Sequence, residues 1–167
     1  MMGILTNEPF AWVLFGLAAV SCLIICFQDL RTRWVHILPL GILGGSGIGH
    51  HLLLRPENYW PQVGFNFVFI SSILGIVGLY LLLRRKRFID HSLGMGDVVF
   101  FYMAACWLGA EAFLWFFTTG ILIVLLLVLG MGLLTAPSSK GSDYPIPLAG
   151  GMAAYLLLFY PLIRFTA

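Results

Sequence analysis

The chain has 167 residues, 60% of them hydrophobic and 10% charged, with a mean hydropathy of +0.99 and a net charge of +2. A soluble domain of this length cannot hide so much apolar surface, so the composition excludes an ordinary water-soluble protein. It points instead to one all-α, polytopic membrane domain over 1–167; the net charge matters less than its placement, and no nucleic-acid partner is expected.

The opening MMGILTNEPF carries Glu8 and no basic residue, so a cleavable signal peptide is not expected. A first apolar run covers 10–27 and gives way to Gln28-Asp29 and the polar patch Arg31-Thr32-Arg33. The second run, 35–54, is rich in glycine (Gly41, Gly44, Gly45, Gly47, Gly49). Small residues let membrane helices approach closely, so this helix is expected to be packed on several sides. Arg55-Pro56-Glu57-Asn58 reads as a loop, with Tyr59 and Trp60 as interfacial anchors. A third run covers 63–83, and the basic cluster Arg84-Arg85-Lys86-Arg87 and Asp90 follow it. Gly94-Met95-Gly96-Asp97 then leads into a short apolar run, 98–108, and a fifth run covers 112–134. The clearest soluble loop is Ala136-Pro137-Ser138-Ser139-Lys140-Gly141-Ser142-Asp143. The last helix is expected to start near Pro145 or Pro147, a good first-turn position for proline, and to end near Ile163.

These runs predict a bundle of six transmembrane helices. Loops on one side carry Arg31, Arg33, Arg84, Arg85, Lys86, Arg87 and Lys140, and the other side carries only Arg55 and Arg164. The richer side belongs in the cytoplasm, which puts both termini outside it. Asp29, at the end of helix 1, and Asp97, at the start of helix 4, then share the cytoplasmic face at similar depth. The His36-Ile37-Leu38-Pro39 and Tyr144-Pro145-Ile146-Pro147 entries to helices 2 and 6 lie there as well.

Asp97 is singled out by depth. The run 98–108 makes roughly 16 Å of helix, and Asp97 to Glu111 spans about 21 Å, against a hydrocarbon core about 30 Å thick. One of those acids must lie below the lipid surface if the segment crosses, and an ionisable group there is by default a functional hypothesis. Gly94 and Gly96 point to Asp97, because they let the backbone bend where protein or a water cavity surrounds it.

Two acids held close together do not both ionise cheaply. The charged one can take a proton from water while the protonated one donates to a carbonyl oxygen gaining charge, the division of labour of an aspartic protease. Structural readings compete with this one. Asp29 has Arg31 and Arg33 beside it as ion-pair partners, and Asp97 is placed to cap helix 4.

Gly94-Met95-Gly96-Asp97 matches the GxGD motif of membrane aspartyl proteases. Asp29-Leu30-Arg31-Thr32-Arg33-Trp34-Val35 resembles the first-aspartate motif of the type IV prepilin peptidases, an Asp followed six residues later by an aliphatic residue. Ile146-Pro147-Leu148-Ala149-Gly150-Gly151 looks like their last segment, Ile-Pro-Phe followed by small residues. The departures are His36 and Ile37, where the family usually has Pro and often then Asn, and Val99, where it usually has Lys. The resemblance implies a minimal, peptidase-only member without the paired-cysteine methylation portion. Its substrate would be a prepilin or pilin-like membrane protein, cleaved between a basic leader and a hydrophobic helix. The setting would be the lipid bilayer of the inner (cytoplasmic) membrane, with the active site toward the cytoplasm. Asp29 and Asp97 would be catalytic, converging across a cleft between helices 1 and 4, and Gly94, Gly96, Ile146 and Pro147 would support the motifs and the substrate. No metal or other cofactor is expected. The alternative, from a different class, is a non-catalytic transporter or pilus-assembly subunit that uses the same acids for protons or a partner.

The remaining polar residues read structurally. Cys22, Cys26 and Cys106 are expected to be buried thiols, since no ligand spacing surrounds them. His36 is read as an interfacial polar residue rather than a proton relay. His50-His51 falls on the face opposite the acids, and the Arg84–Arg87 cluster fixes topology and meets anionic lipid. Trp107, Trp115, Phe116 and Phe117 read as interface and packing residues.

Overall fold

A computed structural model describes residues 8–32, 34–54, 56–83, 94–134 and 148–166. Among these, the structure is all-helical, with six helices in order. They are α1 (Glu8–Thr32), α2 (Ile37–Leu54), α3 (Pro56–Leu83), α4 (Met95–Ala105), α5 (Ala110–Leu134) and α6 (Leu148–Thr166). Arg33, the Arg84–Arg87 cluster, Asp90, the 136–143 loop, Ile146 and Pro147 lie outside the described residues. Pro9–Thr32 and Glu57–Tyr80 are each long and apolar enough to cross a membrane, and the other four helices are apolar over shorter stretches.

Two boundaries differ from the hydropathy reading. The stretch read as a loop at 56–58 is instead the first turn of α3. Proline at the first helical position loses no hydrogen bond, and Glu57 in that turn faces the positive end of the helix dipole. Tyr59 is consequently buried, stacked on His51 with ring centroids 5.3 Å apart, while Trp60 stays exposed. At α4 the helix already begins at Met95, so Gly96 lies within regular helical geometry. Gly94 is an ordinary extended N-cap (φ −66°, ψ 140°) and Gly96 is helical.

α1 packs on α2 and α6, α2 on α4, and α5 on α6. The core between them is aromatic: Phe100, Phe113 and Phe116 are fully buried beside Ile25, Leu43 and Met152. Glycines of α2 meet neighbours more selectively than expected. Gly44 sits against Met103 and Gly47 against Trp107, whereas Gly41 and Gly45 face open space. At Gly47 a Cβ would fall 2.9 Å from the Cys106 carbonyl oxygen, so this is where the α2 and α4 backbones need a glycine between them.

α4, about 16 Å long, ends inside the protein. In an apolar medium each carbonyl at a helix end needs a donor. The fully buried Asn66 of α3 supplies two, its Nδ2 donating to the oxygens of Ala105 (3.2 Å) and Leu108 (2.9 Å). His51 Nε2 lies 2.6 Å from the Trp107 oxygen, and Trp107 Nε1 donates to the Leu43 oxygen at 2.7 Å. Trp107 is thus a core residue, as are Phe116 and Phe117, whereas Trp115 is exposed.

Candidate active site: two carboxylates on one helix N-terminus

Asp29 lies in the last turn of α1 and is buried, 7% exposed. Asp97 is the third residue of α4 and half-buried. Both side chains reach the first turn of α6. Asp97 Oδ1 accepts from the Ala149 amide at 2.7 Å, and Asp29 Oδ2 accepts from the Gly150 amide at 2.6 Å. The two acids therefore occupy successive N–H groups of one chain and interact electrostatically with each other.

The physical logic is that of a helix start. The first amides of any α-helix have no intrahelical acceptor, and the helix dipole makes that end attractive to negative charge. Here both acceptors come from other helices. The first turn of α6, rather than a direct α1–α4 face, is what brings Asp29 and Asp97 together. The two structural readings are answered differently. Asp97, third in α4, interacts with the Gly94 backbone at the start of its own helix as well as with α6, and its amide donates to the Gly94 oxygen at 3.0 Å. Arg31 lies over the Phe27 ring, 5.7 Å from its centroid, and Arg33 lies outside the described residues.

The connection from α1 to α2 sets the second motif against the first. Gln28 Oε1 accepts from the His36 amide at 3.0 Å, and the Thr32 hydroxyl donates to the Gln28 oxygen at 2.9 Å. This places Val35, six residues after Asp29, beside Gly96: a Cβ on Gly96 would sit 3.5 Å from the Val35 Cβ, in ordinary contact. Gly94 is tighter, since a Cβ there would lie 3.2 Å from Asp97 Oδ2. Gly94 thus leaves room for the Asp97 carboxylate, whereas position 96 has space for a methyl group. The His36 side chain is exposed.

A family description of the type IV leader peptidases matches residues 16–129, about two thirds of the chain, including both aspartates. The chain belongs to the type IV leader peptidase family. No curated protein and no solved structure matches it. The family match stops short of α6, so the two amides that carry the acids lie beyond it. Backbone amides leave no mark in a sequence; the only signal for this contact was the run of small residues at 149–151, which lets a helix end come close.

His50 and His51 are committed elsewhere. The buried His50 Nε2 lies 3.2 Å from the Tyr160 hydroxyl, and His51 is held by Trp107. The three cysteines are free; Cys22 and Cys106 are buried and Cys26 half-buried, which corrects the expectation that all three are sequestered. Among the described residues no three His, Cys, Asp or Glu side chains gather around a point that would suit a metal ion. Joint replacement of Cys22, Cys26 and Cys106 by Ala is therefore expected to leave cleavage within about threefold of the parent, with chelators equally without effect. Loss of cleavage on chelation, restored by zinc, is the contrary result.

Proposed function

We propose that this leader-peptidase family member is a membrane aspartyl endopeptidase, with Asp29 and Asp97 as its catalytic pair. The observation that carries this reading is their meeting, from two separate helices, on the successive Ala149 and Gly150 amides. In the reaction one carboxylate deprotonates the attacking water while the other, protonated, donates to the scissile carbonyl oxygen. As the intermediate collapses, the first acid gives its proton to the leaving amine and the second regains one from the intermediate's hydroxyl, which restores both. Neither step requires a metal or an organic cofactor.

The substrate class follows from where the acids sit. A peptide bond inside a helix is shielded by its own hydrogen bonds, whereas the stretch just before a membrane helix is extended and reachable by water. A prepilin-like protein, with a short basic leader before a hydrophobic helix, presents that stretch at the membrane boundary. Six spans in the inner membrane, with the acids toward the cytoplasm, accord with the seven-to-two distribution of basic residues. A reporter fused after Ser139 is expected to behave as cytoplasmic and one at Glu57 as external. The reverse labelling would move the acids to the other face and remove the leader as substrate.

The proposal is tested by incubating membranes containing this chain with a prepilin-type precursor and following its conversion to the shorter form. Conversion that depends on both aspartates supports it. A precursor left intact by a correctly inserted chain would favour the non-catalytic membrane subunit.

A further inference from the structure

The first turn of α6 presents three consecutive small residues, Ala149, Gly150 and Gly151, and they are not equivalent. A Cβ on Gly151 would meet only Val124 Cγ2, at 3.4 Å, an ordinary contact. Position 149 already carries a methyl group and is buried. A Cβ on Gly150, however, would lie 2.9 Å from Asp29 Oδ2, 3.1 Å from Asp29 Cβ and 3.4 Å from the Cys26 carbonyl oxygen. The carboxylate oxygen can rotate away. The Asp29 Cβ cannot, because it is fixed by the backbone of α1, whereas the Cys26 oxygen is in ordinary contact.

We propose that Gly150 is a positioning residue of the dyad: its lack of a side chain lets the first turn of α6 close onto α1 and hold Asp29 and Asp97 at one spacing. The inference rests on the reading of those two acids as the catalytic pair. Adding a methyl group at 150 pushes the turn off α1 and stretches the 2.6 Å bond to Asp29. The Ala149 amide belongs to the same turn, so Asp97 is displaced with it. Misplacing reacting groups by a fraction of an ångström to 1 Å costs up to about 100-fold in rate. Substrate is recognised over a larger surface, so its binding is little affected.

The test compares Gly150→Ala with Gly151→Ala, in the full chain in membranes, against a prepilin-type precursor. Both changes favour a helix, and only the first presses on Asp29. With rates expressed per folded chain, so that a general loss of protein does not enter, Gly150→Ala is expected to lower kcat by about 10- to 100-fold with KM within about twofold. Gly151→Ala is expected to leave both constants within about twofold. Parental kcat in Gly150→Ala, alongside an inactive Asp29→Asn, overturns the role of Gly150 and leaves the dyad standing. An active Asp29→Asn overturns both. Should Gly150→Ala accumulate poorly, the melting temperatures of Asp29→Gly and Asp29→Gly/Gly150→Ala decide. With the Asp29 side chain gone, the added methyl is expected to cost nothing. A penalty undiminished in that background places the conflict elsewhere and overturns the proposal.

Discussion

Asp29→Asn and Asp97→Asn are each expected to insert and fold, yet to lose precursor cleavage by about three orders of magnitude or more. Asparagine keeps an oxygen to accept from the Gly150 or Ala149 amide, so the start of α6 remains satisfied. What it lacks is the titratable proton on which the acid and base roles depend. Alanine at the same positions removes the acceptor as well. Asp29→Ala and Asp97→Ala are therefore expected to be as inactive as the asparagine variants and additionally to lose about 1 kcal/mol of stability each, the usual cost of a deleted helix cap. This difference separates the two things the carboxylates do. The double asparagine variant is expected to be little worse than either single one, because residues acting as a unit are non-additive. Asp90→Asn and Asp143→Asn, outside the described residues, serve as controls and are expected to retain near-parental conversion. Cleavage in membranes that is unchanged in Asp97→Asn would reduce the acids to caps for α6, and if another membrane protease makes the cut it would hand the chain to the membrane-subunit reading.

Asn66→Leu is expected to give the largest loss of stability. Leucine has the same number of side-chain heavy atoms as asparagine but is bulkier, and the Ala105 and Leu108 oxygens lose their donor in a fully buried place. Each unsatisfied carbonyl costs ~1–3 kcal/mol, enough in sum to threaten a marginally stable fold. The effect extends to the site, because Asn66 anchors one end of α4 and Asp97 stands at the other. Thermal unfolding in detergent measures the first effect and precursor conversion the second. An unchanged melting temperature would mean that another donor serves those oxygens.

The helices were legible because apolar runs stand out in hydropathy, and two of them are long and apolar enough to cross a membrane. Each of the six apolar runs corresponds to a helix, from residues 10–27 within α1 to the last one ending at Thr166. Boundaries were less so. Pro56 and Glu57 have the composition of a loop and equally that of a helix start, and only the packing of Tyr59 against His51 decides between them. Gly94 and Gly96 suggested a bent backbone, whereas Gly96 is helical and Gly94 is an extended N-cap beside the Asp97 carboxylate. A glycine in a sequence does not say whether the backbone bends there.

The site divides in the same way. Both aspartates could be read from spacing and depth, because an acid within an apolar chain is conspicuous. Their partners could not. Ala149 and Gly150 act through backbone amides, which every residue but proline possesses. Asn66 shares its long apolar run with Ser71 and Ser72, and nothing local tells a capping donor from a lipid-boundary residue. Gln28, beside Asp29, shapes the α1–α2 connection through the His36 amide, a contact eight residues away that no periodicity announces.

The central claim is that this chain itself hydrolyses the leader bond with Asp29 and Asp97. The most direct measurement is made with the purified chain reconstituted into lipid vesicles, a prepilin-type precursor, and mass analysis of the products. The account predicts a single cut at the junction of the basic leader and the hydrophobic helix, present with the parent chain and absent with Asp29→Asn and with Asp97→Asn. Cleavage that persists in either variant, or an intact precursor with the folded parent chain, would contradict it.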